Sequence, residues 1–305
     1  MDLIFFHANC TDGWTAAYVA SKRYPEAKLI PIGYAENPPY GEVEDKDVIV
    51  VDFSWPREVS IRLSLLAKSF HIYDHHKTTG ENLQGLDFVT FDNARSGAGL
   101  AWDYLFGVDS QWKRLGSIDS VDPTQTKAPF SSRPWFVDYV EDNDLWKFTK
   151  TDSKEIGLFL QTLPKVAEVW DRLALTDLKK AAQAGTALKL GIDYYVNEQL
   201  RNVRPGKIDN YTVGLINAPG THASDLGAKI AETYDMAIMY SEHADGFVYF
   251  GLRSRGDIDV SAIAKRYPNG GGHKNSAGFE LQYEYARLVI DSILGTGVKS
   301  PYDAS

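Results

Sequence analysis

Three short apolar runs, each followed at once by acidic and imidazole side chains, constrain this chain more than any other feature. Leu3-Ile4-Phe5-Phe6 and Val48-Ile49-Val50-Val51 are continuously apolar, the pattern of strands covered on both faces, and residues 70–73 form a weaker third run. Helical patterns lie between them. Residues 13–24 are rich in alanine, and Val59, Leu63, Leu66 and Phe70 repeat at helical spacing after Pro56, a residue suited to a helix start. Strands alternating with helices predict βαβ units and a doubly wound, mainly parallel sheet, in which ligands bind beyond the carboxyl ends of the strands. Those ends carry His7, Asn9, Cys10, Asp12 and Gly13 after the first run, Asp52 and Ser54 after the second, and Asp74, His75 and His76 after the third.

Further along, residues 107–134 read as a loop or insertion rich in Gly, Ser, Pro and Asp, and 135–140 leads into Glu141-Asp142-Asn143-Asp144. The stretch 164–203 is strongly helical, with Leu178, Ala181, Gly185, Leu188, Ile192 and Tyr195 recurring about every 3.5 residues. Arg204-Pro205-Gly206 breaks it. Strand-like runs then occupy 211–216, 236–240 and 246–252, with a helix over 224–233. The expected organisation is α/β throughout: an N-terminal domain over 1–163, a helical linker over 164–204, and a smaller α/β domain over 205–305.

Composition narrows the function. At 305 residues, 44% hydrophobic and 24% charged, the chain is neither disordered nor collagenous. Its single cysteine, Cys10, forbids an intramolecular disulfide and a Cys-based zinc cluster, which fits a reducing compartment. No apolar run approaches the roughly 20 residues of a membrane helix, and no basic segment follows Met1-Asp2-Leu3, so a cytoplasmic protein without membrane association is expected. With 32 Lys plus Arg against 41 Asp plus Glu, the formal net charge of −9 disfavours stable binding of long duplex DNA. Residues 251–275 run against this trend, since Arg253, Arg255, Lys265, Arg266 and Lys274 outweigh Asp257 and Asp259.

Carboxylates mixed with imidazoles suit Mn²⁺ or a similar divalent ion, because oxygen donors favour hard cations and a few nitrogen donors shift preference away from Mg²⁺ and Ca²⁺. Asp52 lies centrally in sequence among the candidates and is the expected bridge between two ions. Two ions about 3.5–4 Å apart acidify a bridging water to hydroxide and clamp the attacking and leaving oxygens of a phosphoryl displacement, which implies phosphoester hydrolysis. Taken singly, each residue also has a structural reading: Asp12-Gly13 as a turn or helix start, Asp52 as a helix cap, and Ser96 as a cap for the helix containing Leu100, Trp102 and Leu105. Trp102, Trp135 and Trp146 are read as core residues rather than base-binding ones.

These residues resemble the DHH phosphoesterases, whose name is the motif present here as Asp74-His75-His76. The first family motif is similar to His7-Ala8-Asn9-Cys10-Thr11-Asp12-Gly13, the second to Val51-Asp52-Phe53-Ser54, and the fourth to Asp142 within Val140–Trp146. Gly270-Gly271-Gly272-His273 with Ser276-Ala277-Gly278 is similar to the signature of the DHH-associated substrate domain. The resemblance implies two Mn²⁺ ions, with Mg²⁺ or Co²⁺ as substitutes. Their implied ligands are His7, Asp12, Asp52, His75 and Asp142, with Asp144 as the alternative to Asp142. His76 would face the substrate phosphate, and Asp74 would orient a histidine from behind. Many members carry two aspartates in the first motif; here the earlier place holds Cys10, either a neighbour of the site or the mark of a weaker ion site. Arg95 and Ser96 resemble a substrate-contacting loop, and Arg253, Gly271, Gly272 and His273 are the implied substrate contacts of the second domain.

The expected function is a Mn²⁺-dependent phosphodiesterase acting on short oligonucleotides or on linear or cyclic dinucleotides to give mononucleotides, with Asp52, His75 and His76 at its centre. A phosphoanhydride hydrolase of polyphosphate-like chains and a non-catalytic nucleotide sensor are the alternatives. The expected partner is a short phosphorylated substrate, and a homodimer is compatible with the sequence.

Overall fold

A computed structural model describes residues 1–34, 36–107, 133–297 and 302. The expected loop at 107–134 lies almost wholly outside the described residues. Two compact units divide the chain, Met1–Lys189 and Leu190–Ser305.

In the first unit, five strands form one parallel sheet: β1 (Leu3–His7), β2 (Lys28–Ile32), β3 (Asp47–Val51), β4 (Ser69–Asp74) and β5 (Val89–Phe91), in the order β2-β1-β3-β4-β5. β1, β3 and β4 are the three strands expected from the apolar runs, and they are central because helices cover both their faces. The edge strands gave no such signal. β2 reads Lys-Leu-Ile-Pro-Ile, with Pro31 tolerated at an edge, and β5 has three residues. Phe70 belongs to β4 rather than to the preceding helix, α3 (Arg57–Leu66), which ends four residues earlier.

Helix α1 (Thr11–Arg23) follows β1 and buries a run of small residues, Ala16, Ala17 and Ala20, beside Trp14, Tyr18 and Val19. Two short helices, α2 (Tyr40–Val43) and α4 (Lys77–Asn82), flank β3 and β4 in sequence, and α5 (Gly97–Phe106) follows β5. Helices α6 (Trp135–Asp144), α7 (Ser153–Thr162), α8 (Ala167–Ala174) and α9 (Leu178–Gln199) complete this part of the chain. The segment expected as a linker is not detached from the first unit: Trp170 and Leu173 of α8 are buried in the same core as Trp14, Tyr18 and Phe136, and the unit boundary falls inside α9. A tryptophan that can bury its ring against Tyr18 and Phe136 gains more than a solvated connector would.

The second unit is a six-stranded mixed sheet: β6 (Arg204–Ile208), β7 (Tyr211–Asn217), β8 (Met236–Glu242), β9 (Phe247–Ser254), β10 (Gly271–His273) and β11 (Ser276–Gln282), ordered β10-β11-β9-β8-β7-β6. Only β7 and β8 pair in parallel, joined by α10 (Ala223–Ile230). Helices α11 (Val260–Ala264) and α12 (Tyr283–Ile293) pack residues such as Ile263, Val289 and Ile290 into its core. The Pro205-Gly206 break therefore lies within an edge strand, where proline is tolerated.

Candidate metal centre

The residues beyond the carboxyl ends of β1, β3 and β4 meet in space. His75 Nε2 lies 3.1 Å from Asp52 Oδ1, 3.5 Å from Asp144 Oδ2 and 3.7 Å from Asp12 Oδ2, and His7 Nδ1 lies 3.7 Å from Asp52 Oδ2. Asp12 and Asp52 are buried, and Asp52 takes a left-handed backbone (φ 56°) directly after β3 while its N–H donates to Tyr73 O of β4. Cys10 joins His7 and Asp52 in one group able to hold a cation; Asp12, His75 and Asp144 form a second; Asp52 with Asp74, His75 and His76 forms a third.

The electrostatics of this cluster are unbalanced without a cation. Burial, Asp52 and Asp144 all push the Asp12 carboxyl well above the usual range, and burial raises the Asp144 carboxyl. Burial also disfavours ionised Asp52, but His7 and His75 outweigh it and hold its pKa down to about 2. His75, which burial would make neutral, is driven up to about 9 by Asp52, Asp12 and Asp144. Burial, then Asp52 and Asp12, raise the Cys10 thiol, so it is uncharged here. His7 Nδ1, Asp52 Oδ2 and Asp144 Oδ2 are buried and without hydrogen-bond partners. Unpaired buried polar atoms are costly, and divalent ions at the His7–Asp52 group and at the Asp12–His75–Asp144 group would relieve them, so the donor set fits divalent ions.

Each carboxylate is aimed by its element. Asp12, in the first turn of α1, accepts from both Gly97 N (2.6 Å) and Ala98 N (2.9 Å) at the start of α5, so a helix N-terminus fixes its orientation. Gly97 is required by contact: a Cβ there would come within 2.5 Å of Asp52 Cβ and 3.0 Å of Asp12 Oδ2. Asp74 accepts at Oδ1 from His75 N, His76 N and His76 Nδ1 (2.7 Å) and at Oδ2 from Thr79 Oγ1, which orients His76 rather than His75. That hydrogen bond raises the His76 pKa.

Along the end of α6, successive residues face different partners, as 100° per residue demands. Glu141 accepts from Arg95 Nε (3.1 Å). Asp142 accepts from Thr149 N and Oγ1, Lys150 N and Ser153 Oγ, and Asn143 Nδ2 donates to Tyr139 O and to Ser153 O and Oγ. Asp144 is the residue that reaches His75. This corrects the expectation for Asp142: its carboxylate is spent on a loop, where those hydrogen bonds overcome burial and hold its pKa down to about 2, and Asp144 takes its place in the cluster. The sequence offered both acids two residues apart, and only the helical phase chooses between them.

Arg95 and Ser96 also depart from expectation. The guanidinium is engaged by Asp103 and Glu141, and Ser96 is fully buried, its Oγ accepting from Gly99 N as the cap of α5. Both are thus engaged in bracing α5, whose N-terminus holds the Asp12 carboxylate. The sequence did not single out Glu141, whose carboxylate also accepts from Ser96 N at 3.4 Å and pairs with Arg133 at 3.5 Å.

In the second unit, strand register brings Arg253, Ser276 and His273 into one row across β9, β11 and β10. Directly paired residues share a face of the sheet. Arg253 is half-buried, with Nε unpartnered, and burial lowers its pKa; His273 is exposed. Gly272 has φ 136°, and a Cβ on it would meet Ser276 O and Ala277 Cα at 2.6 Å, whereas Gly271 faces open space.

A DHHA1 domain model matches residues 210–294, which contain this row and the glycine-rich hairpin. The motif Asp74-His75-His76 stands in the first unit at the end of β4. With a DHHA1 match in the second unit and an Asp-His-His motif in the first, the chain is similar to DHH-family proteins that carry a C-terminal DHHA1 domain. Across its whole length it is 22% identical to an uncharacterized protein of Acanthamoeba polyphaga mimivirus, covering 73% of that protein. RecJ of Thermus thermophilus in complex with Mn²⁺ shares the fold at TM-score 0.55 and 15% identity, over 96% of this chain and 51% of that one, so this chain spans about half of that RecJ. An exonuclease RecJ bound to manganese aligns at TM-score 0.55 and 14% identity over 98% of this chain and 90% of that chain. No helix among the described residues is long and apolar enough to cross a membrane.

Proposed function

We propose that this chain is a DHH-type, Mn²⁺-dependent phosphodiesterase that cuts short oligonucleotides, or linear and cyclic dinucleotides, to mononucleotides. The observation that carries the reading is the convergence of Asp12, Asp52 and Asp144 on His75, with buried lone pairs left for a cation. His7, Asp12, Asp52, His75 and Asp144 would hold the ions, with Asp52 shared. Bound divalent ions supply Lewis-acid polarisation of the phosphate and lower the pKa of water.

The chain's own groups do the rest. His76 is tethered through Nδ1 to Asp74, which fixes the ring and leaves Nε2 to donate to a phosphate oxygen as charge grows there. Asp52, held ionised by His7 and His75, keeps its negative charge where cations are needed. In the second unit, Arg253 and His273 offer donors to a further phosphate of the substrate, and Gly271, with open space where a Cβ would stand, allows close backbone approach. We assign catalysis to the N-terminal unit, Met1–Lys189, and substrate holding to the C-terminal one, Leu190–Ser305. The lone thiol suits a reducing cytoplasm.

The test is a substrate panel with Mn²⁺: a dinucleotide, a five-residue RNA, a cyclic dinucleotide and polyphosphate, with products identified. Mononucleotides from the dinucleotide or RNA are expected. Hydrolysis of polyphosphate alone would replace the reading with a phosphoanhydride hydrolase, and binding without turnover would make the protein a sensor.

A further inference from the structure

Among the described residues of Met1–Lys189, the exposed aromatic side chains are Tyr34, Phe91 and Trp146. All three stand near the candidate centre in the fold: Tyr34 two residues beyond β2, Phe91 at the last position of β5, and Trp146 two residues beyond Asp144. Phe91 lies over Gly80, where a Cβ would come within 2.5 Å of the ring. Tyr34 rests against His7 (5.3 Å) and Phe53 (4.9 Å). Trp146 is the most open of the three, at 74% exposure, with Phe148 edge-on at 5.2 Å. Trp102 and Trp135, by contrast, pack against the core.

The loop that carries the open indole is held firmly. Trp146 and Phe148 adopt left-handed backbone (φ 52° and 47°), a conformation disfavoured for bulky residues. The loop is pinned by Trp146 N to Asn143 O and Lys147 N to Asp142 O, both 3.0 Å, and by the four bonds to the Asp142 carboxylate. Lys154 Nζ covers the Phe148 ring at 4.8 Å. Burial does not explain a strained backbone that keeps a tryptophan in water, but a flat ligand laid on the indole does. A bare phosphate chain has no apolar face to cover it, whereas every nucleobase has one.

We propose that Trp146 is a nucleobase-stacking platform beside the Asp144 side of the centre, with Tyr34 flanking the His7 side, so that the substrate is selected by its bases as well as its phosphates. This inference rests on the phosphodiesterase reading and names what that site recognises.

The experiment compares wild type, Trp146→Ala and Trp146→Phe on a dinucleotide and on its abasic counterpart with Mn²⁺, and measures AMP affinity by calorimetry. Trp146→Ala should raise KM for the dinucleotide about 5- to 100-fold, the range of one lost base stack, with kcat and the abasic substrate unaffected. Trp146→Phe should recover most of the loss, and AMP affinity should fall in parallel. Equal losses on both substrates overturn the proposal. So does AMP affinity that is the same in wild type and Trp146→Ala, absence of binding to both included. If wild type cleaves no phosphodiester, the phosphodiesterase reading fails separately, and the AMP titration still decides the role of Trp146.

Discussion

Asp142 and Asp144 have the same chemistry and lie two residues apart, yet their surroundings give them opposite roles. Asp142 satisfies two backbone N–H groups and two hydroxyls. Asp142→Ala should therefore lower stability by about 2–4 kcal/mol, read as a shift in the denaturation midpoint. Asp144→Ala should leave stability unchanged or improve it, because it removes one of several crowded buried carboxylates, while reducing Mn²⁺ affinity by about tenfold or more in a calorimetric titration. If Asp142→Ala instead lost Mn²⁺ with its fold intact, the ligand assignment would revert to that residue. Gly97→Ala should also weaken Mn²⁺ binding, since its methyl group would displace both Asp52 and Asp12; a titration matching wild type would show that the contact relaxes without consequence. Legibility differs here by residue. His7, Asp52 and His75 could be read as ligand candidates because each follows an apolar run, whereas Asp144 and Gly97 depend on contacts between elements far apart in sequence.

At the scale of elements, β4 illustrates how a buried strand constrains pH behaviour. His71 lies inside it, buried, with Nε2 2.8 Å from Thr90 Oγ1 of β5, and burial lowers its pKa to about 4. The folded chain therefore keeps His71 neutral where the unfolded chain, with a pKa near 6.5, has taken up a proton. Between those values the unfolded state binds more protons, so stability falls as pH drops from about 6.5 to 4, by up to about 3 kcal/mol from this residue. Urea denaturation of wild type and His71→Gln at pH 7 and pH 4.5 checks this: the loss on acidification should be smaller in the variant, and equal losses would refute it. The central strands were legible because a parallel strand covered on both faces must be apolar throughout. β2, β5 and β6 were not, because edge strands can be short, polar or interrupted by proline. α8 had helical periodicity, but nothing in its sequence distinguishes a connector from a helix whose Trp170 fills the first core.

For the whole molecule, the surplus of acidic side chains is partly gathered into one buried cluster instead of being spread over the surface. Linkage then predicts that free Mn²⁺ at 100 times its dissociation constant stabilises the protein by about 2.7 kcal/mol. Thermal unfolding with Mn²⁺ and with a chelator should differ accordingly, and the difference should vanish in Asp52→Asn. A shift of the same size in that variant would place the ion elsewhere. The sequence by itself determined the α/β class, the central parallel strands and the set of acids and imidazoles at their ends, because apolar runs and ligand-type residues are local properties of the chain. Only the tertiary structure decided that Asp144 rather than Asp142 joins the cluster, that Arg95 and Ser96 brace a helix, and that Trp146 stands in water. Those outcomes follow from helical phase and from which partners reach each side chain first, and neither is written in local sequence.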